Sequence, residues 1–487
     1  MSRAWQERRM TMDNSALLNG IKQLQENISG LNTRVLKVGN SEVCILYIPH
    51  ICDGVKIRDA LITPILQYSK NDPISPKIIM ESVIYAEEVK YENQLNKLTD
   101  YLLEGNSIIM VSNFPEYLIV NTFKVDRRNI QSPEVESSLR APRDSFNESL
   151  DTNLSLIRYR IKDSTLKIDM CKVGRRTKTS VAVLYLKDVT NNKFVEQVKK
   201  TLSEIDVDGI LESGYIQKYL SNKNSTLFSQ IGISERSDSS CAHILEGKLC
   251  ILVEGSNIAL TLPQNFTDFL DAGDDHYESM YWGIFIKDIR IMSIVISLTL
   301  SSMYVTIVAF DPDVLPSQYI FALAASRIAA PVNAVIEAIL MEIAVELIRE
   351  ASIRLPRQIG PSVSIVGTII IGQAAVAAGL VSPLMVIIVS LSSISSFITS
   401  DITLMYPIRL LKFLMLILAG IFGLFGFIMG LTIVLVKICS ITSFGVPYTA
   451  PISPFNFKEI KNFVLSNVIL DKERPEHLQT QDKKRQK

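Results

Sequence analysis

Three stretches of this 487-residue chain carry no charged side chain: residues 291–310, 361–400 and 413–436. A helix needs about 20 apolar residues to cross the ~30 Å hydrocarbon core of a bilayer. The first and third stretches therefore predict one crossing each. The second predicts two, with Gly379-Leu380-Val381-Ser382-Pro383 as the turn between them. A core helix of a large soluble protein is the competing explanation, but uncharged runs of this length read as membrane.

The remaining sequence organises around these runs. Residues 1–33 are polar and predict an N-terminal arm or a loose helix. Residues 34–155 and 156–285 read as two small soluble subdomains of α/β or α+β class, because strand and helix patterns alternate in both. In the first, 43–48, 107–111 and 117–120 are apolar strand runs, and 78–103 carries the spacing of a helix. Residues 127–149 are polar, contain Pro133 and Pro142, and read as a linker. In the second, 166–171 and 180–186 are strands and 193–205 is an amphipathic helix. Residues 249–253 and 258–262 predict a hairpin whose turn holds Gly255 and Asn257 for positive φ angles. Residues 286–440 form an all-α multi-pass transmembrane domain, and 441–487 a cytoplasmic tail.

Within the membrane region, 331–350 has helical periodicity and four carboxylates, Glu337, Glu342, Glu346 and Glu350. The last three share a face. Ile336, Ile339, Leu340, Ile343 and Leu347 lie opposite. This pattern predicts an amphipathic helix at the interface, or one facing a water-filled space. If it does not cross, the chain has four spans. If it crosses, there are five, unless 440–455 re-enters. The basic end Lys483-Lys484-Arg485-Gln486-Lys487 favours the cytoplasm and an even number. The charged start, Met1 to Arg9, has no apolar core behind it, so the soluble region is also expected in the cytoplasm.

Chemistry-bearing motifs are scarce. Gly174-Arg175-Arg176-Thr177-Lys178-Thr179 ends like a phosphate-binding loop but lacks the first glycine, so it reads as a basic turn. GxSxG and HExxH are absent, and His50, His243, His276 and His477 are scattered. Six cysteines show no metal-ligand spacing. Balanced charge, with 50 basic and 50 acidic residues, gives no field for nucleic acid. Neither enzyme activity, a cofactor nor a metal site is expected.

Three polar or small-residue patterns remain. Gly423, Gly426 and Gly430 share one face of the last run, and Ser364, Thr368 and Gly372 recur every fourth residue in the second. Such faces let helices approach closely, within the chain or between subunits. Ser392, Ser396 and Thr399 form a hydroxyl stripe that either bonds back to its own helix or lines a water path. Arg349, Arg354 and Arg357 are candidate partners for the glutamates.

Several longer motifs resemble the A subunit of the GerA-type nutrient germination receptors of spore-forming bacteria. They include Asp311-Pro312-Asp313-Val314-Leu315-Pro316, Glu346-Leu347-Ile348-Arg349-Glu350-Ala351-Ser352-Ile353-Arg354-Leu355-Pro356, Ile371-Gly372-Gln373-Ala374-Ala375-Val376 and Ser443-Phe444-Gly445-Val446-Pro447-Tyr448. In the soluble part they include Arg140-Ala141-Pro142-Arg143-Asp144-Ser145-Phe146 and Leu156-Ile157-Arg158-Tyr159-Arg160. The resemblance implies a place in the spore inner membrane beside a permease-like B subunit and a lipoprotein C subunit. It further implies a homo-oligomer, possibly a pentamer, that opens as a channel for monovalent cations. On that expectation Glu337, Glu342 and Glu346 attract cations, and Ser392, Ser396 and Thr399 adjoin the path. A non-conducting scaffold and a secondary transporter component are the alternatives.

Overall fold

The computed structural model describes residues 14–39, 41–68, 74–124, 142, 144–221, 227–327, 332–354, 360–398, 401–465 and 472–485. It divides into two units. One takes the residues up to Ser221, then Ile233–Pro263 and those from Glu473 onward. The other takes Asn222–Gly232 and Gln264–Lys472. Most of the 127–149 linker, together with Thr399 and Arg357, lies outside the described residues.

The first unit is built twice on one plan. Helix α1 (Asn14–Asn27) precedes β1 (Asn32–Val38) and β2 (Ser41–Tyr47); short helical turns lead to β3 (Val89–Glu92); α2 (Leu98–Leu103) leads to β4 (Asn106–Val111) and β5 (Tyr117–Asn121). The second half repeats this with α3 (Leu150–Arg160), β6 (Leu166–Val173), β7 (Thr179–Leu186), α4 (Asn192–Glu204), α5 (Ser213–Leu220), β8 (Gly232–Ser234), α6 (Ser237–Glu246), β9 (Leu249–Val253) and β10 (Ala259–Leu262). The sheet orders are β1-β2-β4-β5-β3 and β6-β7-β9-β10-β8, the same topology. Central strands β2, β4, β7 and β9 are nearly continuous apolar runs and are buried along most of their length; edge strands β1, β3 and β6 are half exposed.

Two sequence expectations change here. Residues 78–103 are not one helix, because β3 interrupts them and pairs with β5. In the β9–β10 turn only Gly255 takes a positive φ, +83°; Asn257 does not. The motifs of the soluble part also gain a structural meaning. Arg160 donates from one nitrogen to both oxygens of Asp144 at 2.7 Å, and Ser237 Oγ donates to the same carboxylate at 2.7 Å. Where the halves meet, the buried Arg158 donates to the Ser29 carbonyl and Ser155 Oγ to that of His50.

The second unit is helical: α7 (Met280–Ala309), α8 (Ser317–Arg327), α9 (Ala334–Arg354), α10 (Gly360–Ala377), α11 (Pro383–Ser395), α12 (Ile402–Cys439) and α13 (Phe457–Leu465). Two of these are long and apolar enough to cross a membrane, Met280–Ala309 and Thr403–Cys439. Helix α12 is not straight. Gly423 has φ +58° and ψ −138°, outside any helix. A Cβ on Gly430 would lie 2.7 Å from Met415 Sδ, yet a straight helix would separate these residues by about 22 Å. Leu404, Ile408, Ile438 and Ile441, from opposite ends, join one cluster. The chain therefore reverses at Gly423, and 402–422 and 424–439 form an antiparallel hairpin. The run 413–436 is therefore not one straight helix, which corrects the reading of Gly423 as part of a helix face. Gly423 is the turn, where a Cβ would meet the Phe310 ring at 2.9 Å. Gly426 and Gly430 face the other arm, and a Cβ on Gly426 would collide with the Leu418 carbonyl oxygen.

Contacts fix the direction of each helix. The start of α9 meets the hairpin tip, since a Cβ on Gly420 would touch Val335 at 2.5 Å. Its last turns meet the end of α11 through Arg349 and Ser396. Thus α7 runs toward the tip, α9 away, α10 toward it, α11 away, and the hairpin up and back. The opposite end is closed by β11 (Thr442–Ser443) and β12 (Val446–Pro447), with Phe444 and Gly445 at positive φ in their turn. Tyr448 follows and is buried among Phe228, Phe266 and Phe269, ring centroids 6.1–6.3 Å away.

Candidate functional site: buried charge on helix α9

Helix α9 buries carboxylates among its core residues Ala334, Ala338, Met341 and Val345 and leaves large apolar side chains outside. Glu337 is fully buried and Glu342 nearly so, whereas Ile336, Leu340, Ile343 and Leu347 are exposed. A water-soluble amphipathic helix has the opposite arrangement. The expectation that the glutamates face an interface or a water-filled space is not what the single chain presents, because neighbouring helices supply their partners.

Glu342 sits at the centre. Its Oε2 is 2.6 Å from Lys412 Nζ of the α12 hairpin, and its Oε1 accepts a hydrogen bond from Ser301 Oγ of α7 at 2.6 Å. Lys412 and Ser301 are both buried. One turn on, Glu346 pairs with Arg409 of the hairpin and lies 3.6 Å from Arg349. Arg349 also donates to Ser396 Oγ at 2.9 Å and stacks on Phe397, 4.5 Å from the ring centroid. In the first turn, Glu337 Oε1 accepts from the amide of Ser382 and from its hydroxyl, the latter at 2.6 Å. Its Oε2 lies 3.9 Å from Arg327 of α8 and accepts no hydrogen bond among the described residues. From Glu337 to Glu346 the helix rises about 13 Å. Buried charges are expensive unless paired, and pairing is what the neighbouring helices provide.

The other predicted residues fall around this centre. Ser392 donates to the Ser297 carbonyl of α7 at 3.1 Å, so it ties two helices together. Ser396 donates to its own helix, to the Ser393 carbonyl at 2.6 Å, while accepting from Arg349. Gly372 faces α11, where a Cβ would lie 3.1 Å from Val386. Ser364 and Thr368 lie on α10. Glu350 is exposed. Sequence reasoning missed Arg327, Arg409 and Lys412. Lys412 abuts an apolar run of 24 residues, and its position one residue before that run was the available signal.

Comparisons with known proteins place this architecture. The family described as Bacillus/Clostridium GerA spore germination protein matches residues 19–477. Spore germination protein KA of Bacillus subtilis is 37% identical over 458 residues, covering 93% of this chain and 84% of that protein. The uncharacterized membrane protein YfkQ of the same organism is 35% identical, covering 91% and 87%. Spore germination protein A1 is 30% identical, with 94% of each chain covered. The crystal structure of the N-terminal domain of the A subunit of the Bacillus megaterium spore germinant receptor GerK3 aligns with 52% of this chain and 95% of its own, at 30% identity and a TM-score of 0.41.

Proposed function

The chain belongs to the GerA family of spore germination proteins, and from that premise we propose that it is a germinant receptor A subunit that forms a nutrient-gated cation channel with copies of itself. Its helical unit crosses the spore inner membrane six times, through α7, α9, α10, α11 and the two arms of α12. The soluble unit lies in the cytoplasm. A permease-like B subunit reads the nutrient and a lipoprotein C subunit completes the receptor.

The observation that carries the reading is the inverted α9, charged within and apolar without. It supports a helix that faces lipid outward and keeps ionisable groups in the interior, where such groups mark ion pathways. Exposed aromatic residues at both ends of the bundle agree with interfacial belts: Tyr281, Trp282 and Phe285 at one end, Phe310, Tyr319 and Phe321 at the other. Because Glu342 is held by Lys412, we take the described state as closed. Opening moves α9 against the hairpin and releases the carboxylate toward the path, as binding energy in the partner favours that state. The test is cation flux from proteoliposomes holding the whole receptor. Glu342→Gln is expected to reduce nutrient-triggered flux, and Lys412→Gln to raise flux without nutrient. Wild-type flux from a folded Glu342→Gln receptor sinks the assignment of Glu342.

The pairing itself favours one second reading, a non-conducting scaffold in which the charges only hold helices together. Absence of flux from the wild-type receptor, with nutrient bound, selects it.

A further inference from the structure

The duplicated plan of the soluble unit exposes a difference between its halves. In the first half, the chain after β5 turns back over the edge that follows β2. Asp53 N donates to the Thr122 carbonyl at 2.7 Å and Lys124 N to that of Ile51 at 3.0 Å. Phe123 fills the space beside Gly105, which has φ +86°, and a Cβ there would lie 2.6 Å from the Phe123 ring. Gly105 stands between α2 and β4.

Gly247 stands at the equivalent place, between α6 and β9, with φ +101°. The chain after β10 cannot fill the space beside it, because at Gln264 it passes to the other unit. The last residues of the chain fill it instead. A Cβ on Gly247 would lie 2.6 Å from Thr480 Cγ2 and 3.2 Å from Val189 Cγ1. Gln481 N donates to the Val189 carbonyl at 2.9 Å, and its side-chain amide to that of Thr190 at 2.9 Å. Arg474 gathers the segment, donating to the carbonyls of Asp482 and Lys484 and to that of Leu245 at 2.9 Å. Arg485 Nη2 reaches Glu246 at 3.1 Å. Leu478 is fully buried and Thr480 nearly so.

We propose that the edge formed by Val189, Thr190 and Gly247 is a peptide-binding slot whose ligand is the chain's own C-terminal segment, 473–485. The slot exists because the fold of each half leaves it open. Burial of Leu478 and Thr480 and the main-chain bond from Gln481 to Val189 supply affinity, and the Gln481, Arg474 and Arg485 side-chain contacts supply specificity. Docking makes the segment a tether from the end of the helical unit's chain back to the soluble unit, and covalent linkage gives it a high effective concentration there.

The test uses a chain ending at Lys472 and a fluorescent peptide of residues 473–487, in detergent. The peptide is expected to bind the shortened chain and to bind the full chain at least about tenfold more weakly, because the slot is already filled. Arg474→Ala in the peptide is expected to weaken binding about tenfold. In the full chain, Val189→Cys with Thr480→Cys is expected to form a disulfide within one chain. Equal peptide binding to both chains overturns the proposal. So does a full chain that forms no such disulfide, or forms it only between chains. None of these readouts depends on ion conduction.

Discussion

Glu342 and Lys412 show how a residue-scale contact sets a molecular constraint. Both are buried, and each is the other's principal charge partner. Removing one leaves an uncompensated charge, at a cost on the order of 3–5 kcal/mol, whereas removing both is often neutral. Glu342→Gln and Lys412→Met are each expected to lower the melting temperature of the purified chain in detergent, and the double variant to recover most of the loss. A double variant as unstable as the sum of its parts contradicts the pairing. His50 gives a second residue-scale expectation, in the soluble unit. Burial holds its pKa below 6.5; Asp151 opposes that shift and Arg158 reinforces it. The unfolded chain therefore takes up the proton more readily than the folded one. The stability contribution is complete above pH 6.5 and falls as pH drops below that value. The hydrogen-exchange protection factor at α3, corrected for the intrinsic slowing of exchange with falling pH, is expected to drop from pH 7.5 to 5.5 more in the wild type than in His50→Gln. An equal drop removes His50 from the account.

At the scale of elements, sequence periodicity found what is regular. The central strands and α4 were legible because burial on both faces, or on one helical face, writes a simple pattern. The 78–103 segment was misread because a four-residue edge strand, β3, sits among helical turns and has too little pattern of its own. The glutamate helix was found but its orientation was not, since hydropathy records a charge without its partner. The α12 hairpin was hidden for another reason. An uninterrupted apolar run of 24 residues is compatible with one pass, and only backbone geometry distinguishes one pass from a reversal. Gly423 carries that reversal alone, at a φ that disfavours a side chain. Gly423→Ala adds backbone strain of about 1–3 kcal/mol and a clash with Phe310. It is expected to reduce the yield of folded chain, and Phe310→Ala is expected to restore only part of it, because the strain persists. Full restoration would mean that crowding, not φ, makes glycine necessary there.

For the whole molecule, the docked C-terminal segment and the helix directions bear on the same quantity. Residues 473–485 pack within the soluble unit, which also contains the chain's earlier residues. Under the proposed membrane insertion, both ends of the helical unit then lie on one side and the number of crossings is even. Four and six both satisfy parity. They differ in whether α9 crosses and in whether 402–439 crosses twice, as a hairpin, or once, and therefore in the side on which the α10–α11 turn emerges. With six crossings, Leu380 in that turn shares a side with Tyr319 of α8, opposite Ile452. With four, Leu380 shares a side with Ile452. All three residues are exposed, at 56%, 63% and 53%. In a chain freed of its native cysteines, Leu380→Cys and Tyr319→Cys are expected to react with a membrane-impermeant maleimide from one face of sealed vesicles, and Ile452→Cys from the other. Labelling of Leu380→Cys together with Ile452→Cys would take α9 out of the membrane and leave 402–439 a single crossing. Its buried glutamates and the apolar face opposite them would then need another explanation.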